Sequence, residues 1–160
     1  MSDSKAKNQF ANVAHSRTEE QKQVMEDILA KGHCPFCPEQ LEAYHKEPLL
    51  KDGKFWILTK NQWPYEGAKL HLLAIAKKHA AKLCDLEEGS GNELLDLLTW
   101  AEKEFEIPGG SFFIRFGDTD YTGATVQHIH AQLISSEPRL DEGGKENDKL
   151  KVKLGYKKLS

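Results

Sequence analysis

The run His128-Ile129-His130-Ala131-Gln132 sets two imidazoles and a carboxamide at alternate positions. In an extended strand these three side chains project from one face, and Ile129, Ala131 and Leu133 face the other way. A neutral imidazole is a competent nucleophile, proton carrier and metal ligand near physiological pH. A partly buried one needs partners for both ring nitrogens, so the pair is costly as decoration. Two satisfied histidines on an ordinary strand are the plain alternative for so short a motif. A second group is Cys34-Pro35-Phe36-Cys37, whose C-x-x-C spacing suits a metal knuckle, a redox pair or two buried thiols. The redox form sits at a helix N-terminus after a strand, which Pro38 and a preceding helix argue against. Cys84 stands alone and reads as structural, so further metal ligands have to be histidines, His33 and His45 lying nearest in sequence.

The elements that must position these groups follow from local pattern. Residues 1–17 are polar without a sustained period and read as a loose arm, leaving residues 18–160 as a single domain. Thr18-Glu19-Glu20-Gln21 has capping-box spacing and opens an amphipathic helix to about Lys31, with Val24, Met25, Ile28 and Leu29 as its stripe and Gly32 as its stop. A turn carries the two cysteines. Strands are expected at Phe55 to Leu58 and Leu70 to Ile75, forming an antiparallel pair. Ser90 to Glu106, with leucines at 94, 95, 97 and 98, Trp100 and Phe105 and polar residues between, is a long helix packing on the sheet. Two more strands, Phe112 to Phe116 and Thr125 to Ile134, flank a turn-rich loop at Gly117 to Gly123. Glu137 to Lys149 is charged and reads as a loop, and Lys151 to Leu154 as a last edge strand. The order predicts an α+β layer with helices covering one face of the sheet.

Bulk properties narrow the function. At 160 residues, 39% hydrophobic and 29% charged, with a net charge of -3, the chain fits one soluble domain. That balance offers no broad nucleic-acid surface. The longest apolar runs are strand-sized and the N-terminus has no apolar signal core, so a cytoplasmic protein with no membrane partner is expected. Three cysteines are too few for a secreted disulfide framework.

The stretch Gly123-Ala124-Thr125-Val126-Gln127-His128-Ile129-His130-Ala131-Gln132-Leu133-Ile134 resembles the signature of the HIT (histidine triad) superfamily. Asn61 to Pro64 followed by Leu70-His71-Leu72 is similar to that family's ribose-binding loop and next strand, and Ala76-Lys77-Lys78-His79 to its Pro-Lys-x-His stretch. Together the matches span residues 34 to 136. Gln132 stands where most members have a third histidine, the arrangement of the branch containing galactose-1-phosphate uridylyltransferase and the dinucleoside polyphosphate phosphorylases.

The resemblance implies an antiparallel sheet of about five strands with a long helix and an N-terminal helix, the sheets being joined in a homodimer. It implies a nucleotidyl transferase or hydrolase acting on nucleoside polyphosphates, with His130 forming the covalent intermediate and Gln132 and His71 as its catalytic companions. A phosphoramidase, a dinucleotide hydrolase or a weakly active nucleotide-binding module are the alternatives. Asn61, Thr125 and Arg115 would hold the nucleotide, Trp56 or Trp63 would wall its base, and Lys69 would share the phosphate charge. Cys34, Cys37, His79 and His128 would form a closed structural zinc site. Ala124 replaces a glutamine common in the family's hydrolases, and Gln132 lacks an imidazole proton for the leaving group; both weigh against vigorous dinucleotide hydrolysis.

Overall fold

A computed structural model describes residues 10–138 and 149–159; most of the charged stretch expected as a loop lies outside them. Thr18 accepts the N–H of Gln21 and opens helix α1 (Glu19–Lys31), which Gly32 closes at φ 70. The return bond of the capping box goes one residue further back than expected, from the N–H of Arg17 to Gln21 Oε1 at 2.8 Å. Met25 and Ile28 are the buried stripe. Beyond the cysteine turn, Pro38 opens a second helix, α2 (Pro38–Tyr44), which the sequence reading lacked. At a first helical position proline gives up no needed donor and its φ is preset.

Five strands follow: β1 (Leu49–Asp52), β2 (Trp56–Lys60), β3 (Ala68–Ala76), β4 (Ser111–Ile114) and β5 (His130–Ser136). They form one antiparallel sheet in the order β1-β2-β3-β5-β4. The pair expected from Phe55 to Leu58 and Leu70 to Ile75 is β2 with β3. Strand β1, mostly exposed and without alternation, gave no sequence signal.

Helix α3 (Ser90–Glu104) covers one face, where Leu94, Leu97, Leu98 and Ala101 meet Trp56, Leu58, Leu72, Ala74, Ile129, Ala131 and Leu133. Its Glu93 carboxylate accepts the backbone N–H groups of Lys54, Phe55 and Trp56 at 3.1, 2.9 and 3.0 Å, clamping the turn into β2. A Cβ at Gly53 would collide with that carboxylate, which explains the glycine. The opposite face is also covered, contrary to expectation: Leu41 of α2 packs on Ile57, Leu73 and Ile75.

Three further expectations are corrected. The histidine strand does not begin at Thr125. Its ladder starts at His130 because β3, its partner, ends at Ala76. Residues Thr125 to Ile129 are a loop held by Ala11 bridging Val126, by Ile129 N–H on the Ala80 carbonyl and by Gln127 N–H on the Phe10 carbonyl. So residues 10–17, read as part of a loose arm, pack along that loop, Asn12 N–H donating to the Thr125 carbonyl at 2.8 Å. Second, residues 151–154 form no strand; the Lys153 carbonyl accepts from Arg115 Nη2 at 2.7 Å instead of entering a ladder. Third, Cys84 is exposed beside Asp85 in a 3-10 turn (Leu83–Asp85), outside any core. The loop at Gly117 to Gly123 contains a short helix, α4 (Thr119–Thr122), capped by Asp118. No helix among the described residues is long and apolar enough to cross a membrane.

Candidate active site

The sheet face opposite α3 carries the candidate site. Alternation along β5 sends Ala131 and Leu133 into the α3 core and turns His130 and Gln132 the other way, toward a cavity of about 2200 Å3. The register sets Ile75 opposite His130 and Leu73 opposite Gln132, so His71 on β3 is a diagonal neighbour of Gln132. His71 and Gln132 meet at 3.0 Å between Nε2 and Oε1, and both are buried.

His130 donates from Nδ1 to the carbonyl of His128 at 2.8 Å. That bond fixes the tautomer and leaves Nε2 with its lone pair as the ring atom available for chemistry. Phe36 meets the ring edge to face at 5.1 Å and 86°, holding its plane. Burial, the largest cause, pushes the His130 pKa down to about 4; the bond to the His128 carbonyl acts upward and the charge of Arg115 downward. The imidazole is therefore neutral and nucleophilic at physiological pH.

Asn61, Thr125 and Arg115 all line this cavity. Asn61 Oδ1 accepts the N–H of Trp63, and its Nδ2 lies 3.0 Å from His71 Nε2. Strand β4 continues the alternation through Phe113 to Arg115, whose Nη2 donates to the Tyr65 hydroxyl at 2.9 Å. Trp63 is in the lining, but Trp56 is not: it is fully buried under α3, its Nε1 donating to the Ser90 carbonyl at 2.7 Å. Lys69 is also absent from the lining and pairs with Glu137 at the surface, 3.2 Å away.

Cys34, Cys37, His79 and His128 come together beside this face, their donor atoms all within 4.8 Å of one another. Cys34 Sγ lies 3.2 Å from His128 Nδ1, Cys37 Sγ 3.6 Å from His79 Nδ1, and the two Nδ1 atoms 3.2 Å apart. The edges of a tetrahedron built on ordinary zinc bond lengths run from roughly 3.3 to 3.8 Å. His128 Nε2 donates to the Ala76 carbonyl at 2.6 Å, which leaves Nδ1 unprotonated and turned toward the sulfurs. The donor set thus fits a divalent metal ion closely. The rival histidines are engaged elsewhere, His33 on Tyr44 and His45 on Thr59.

Sequence reasoning missed several residues of the cavity. Tyr65 stacks on His71 with ring centroids 4.9 Å apart, and Arg17 lies over the Tyr65 ring at 4.3 Å. The carboxyl-terminal residues Lys151, Lys153 and Tyr156 form part of the wall, Tyr156 reaching His15 with its hydroxyl. Only the tyrosine's place beside the Asn61 loop was a usable signal; the others depend on long-range docking.

No protein-family model matches the sequence, and no curated protein matches it. Solved structures do. A histidine triad nucleotide-binding protein from Candida albicans is similar at 18% identity and a TM-score of 0.53, over 72% of this chain and 88% of that one. A histidine triad protein from Clostridium difficile is similar at 16% identity and 0.50, over 62% and 88%. A hypothetical protein from Leishmania major gives 18% and 0.50, over 75% and 79%. The shared property at these identities is the fold.

Proposed function

We propose that this chain, which has the histidine triad fold, is a nucleotidyl transferase or hydrolase of that superfamily, working through a covalent nucleotidyl-His130 intermediate. The observation that carries the proposal is the fixed His130 tautomer, with Nδ1 held by the His128 carbonyl beside a cavity of about 2200 Å3. Nε2 attacks the α-phosphorus of a dinucleoside polyphosphate or similar donor. A P–N bond forms, the bridging P–O bond breaks, and its electron pair leaves with the polyphosphate fragment. A phosphate or water oxygen then attacks the same phosphorus and returns the lone pair to Nε2; when water attacks, its proton goes to solvent. Gln132 donates an amide hydrogen bond to the α-phosphoryl oxygens, and Thr125 supplies a hydroxyl. Asn61 binds a ribose hydroxyl.

The metal is assigned as zinc, bound by Cys34, Cys37, His79 and His128. Two thiolates and two imidazoles make a closed set, so its part is structural. It ties the cysteine turn to the loop two residues before the nucleophile. Strand β4 is a sheet edge with Phe112 exposed, which supports a homodimer joined through that edge.

Single-turnover mixing with diadenosine polyphosphate labelled at the α-phosphorus tests the chemistry. Label should appear on the wild-type chain and be absent from His130→Ala, and added phosphate should convert it to a nucleoside diphosphate. Wild-type protein that binds the nucleotide but never takes label would overturn the assignment, leaving a binding module.

A further inference from the structure

The cavity holds two guanidinium groups aimed at one tyrosine. Arg17, just ahead of α1, lies over the Tyr65 ring at 4.3 Å, and Arg115, just beyond β4, donates to the Tyr65 hydroxyl at 2.9 Å. Arg17 is pinned on both sides, by its N–H on Gln21 Oε1 and by its Nη2 on the Trp63 carbonyl. Among the described residues no carboxylate pairs with either guanidinium. The lysines that do find acids, Lys22, Lys31, Lys69 and Lys77, are outside the cavity lining. Arg115 Nε is buried with no hydrogen-bond partner, an arrangement that is costly unless a ligand completes it. Two like charges gathered on one tyrosine, with no carboxylate partner among the described residues, favour an anionic ligand. Lys151 and Lys153 line the same cavity; so do Glu66 and Glu137, but Glu137 pairs with Lys69 and neither carboxylate pairs with Arg17 or Arg115.

We propose that Arg17 and Arg115 form a subsite for the phosphoryl groups of the donor that lie beyond the one facing His130, making the site selective for polyphosphates. The proposal rests on the nucleotidyl-transfer reading for its direction. Tyr65 is the link between the two centres, since its ring also stacks on His71, the partner of Gln132. The two guanidiniums offer planar, multidentate donors to adjacent phosphates, which a single lysine could not match. A donor with a neutral leaving group would leave both charges without a partner, so nucleoside phosphoramidates are poor substrates. At about 2200 Å3 the cavity exceeds the roughly 300–1000 Å3 of a site for one small ligand, leaving room for an extended chain.

Calorimetric titration of the full-length, metal-loaded chain with inorganic tripolyphosphate tests the subsite without catalysis. The wild-type chain should bind it more tightly than sulfate at matched ionic strength, with affinity falling as salt rises. Arg17→Gln should weaken binding about 10-fold or more, Arg17→Lys less, and His130→Asn should leave it within about twofold. Arg17 is exposed, so its variants keep the fold, and their thermal melts verify this. Arg17→Gln should also reduce kcat/KM for a diadenosine polyphosphate about 10-fold while sparing an adenosine phosphoramidate. Tripolyphosphate binding unaffected by Arg17→Gln, or lost in His130→Asn instead, would overturn the proposal. Arg17-dependent binding without any labelling of His130 would uphold the subsite and remove the nucleotidyl-transfer reading.

Discussion

His71 Nε2 lies 3.0 Å from Gln132 Oε1, and the backbone N–H of Tyr65 donates to His71 Nδ1 at 3.1 Å. Because Nδ1 accepts, Nε2 carries the proton and donates to the amide oxygen. The Gln132 oxygen is thereby engaged, and its NH2 is the end left for a ligand. Gln132→Ala should slow labelling of His130 by about 100-fold, the usual loss when one transition-state donor is removed, with little change in nucleotide affinity. Unchanged labelling kinetics would show that this amide plays no part in the transfer.

Burial, ahead of every other influence, pushes His71 from 6.5 down to about 4; the bond to Gln132 acts upward, and the charges of Arg17, His130 and Arg115 act downward. The unfolded chain therefore takes up the His71 proton before the folded one does. The stability this confers is complete above about pH 6.5 and drains away as pH falls toward 4. Urea unfolding at about pH 7.5 and about pH 4.5 should show a loss in the wild type that exceeds the loss in His71→Gln by roughly 2–3 kcal/mol. Equal losses would mean that His71 charges as readily folded as unfolded.

Without an ion, burial pushes the Cys34 thiol up to about 12 and raises Cys37 as well. Zinc uptake must then displace both protons. Calorimetry of the stripped chain in buffers of different ionisation enthalpy should report about two protons released per zinc, at one zinc per chain. Cys34→Ser should lower metal content and reduce Tm by about 10 °C or more, whereas Cys84→Ser should change neither. Purified protein free of zinc would refute the four-ligand set.

Removing the Glu93 clamp strands three backbone donors at the turn into β2. Glu93→Ala should cost about 2–3 kcal/mol in chemical denaturation, because those groups lose a charged acceptor. Labelling of His130 should persist below the melting range, since the clamp lies on the far face of the sheet. Coupled loss of both would show that the turn's strain reaches His130.

The face assignments were legible because alternation is local: Ile129, Ala131 and Leu133 reach the α3 core, and His130 and Gln132 the cavity. The donor set Cys34, Cys37, His79 and His128 followed from the family resemblance, and those residues do converge. Other features depend on partners remote in sequence. The length of β3 decides where the β5 ladder starts, so the strand's first residue was misjudged. Trp56 has the composition of a base platform but is drawn under α3 by the Ser90 carbonyl. Pro38 argues locally against a helix N-terminus at the cysteines, yet it opens α2 with Cys37 as the N-cap, because a proline at the first helical position gives up no needed donor. Arg17 looked like part of a polar arm, and only the docking of residues 10–17 gives it Tyr65.

That docking also bears on synthesis. The His15 ring donates to the Ala124 carbonyl at 2.9 Å across a separation of 109 positions, and Ala11 bridges Val126. On the ribosome, residues 10–17 are made long before the loop they brace and must wait for it. The loop ahead of His130 gains its support only after residues 124 to 129 have emerged. A chain stalled before that point carries Asn61 and His71 but lacks His130 and Gln132, so the candidate site is assembled only once β5 has paired with β3.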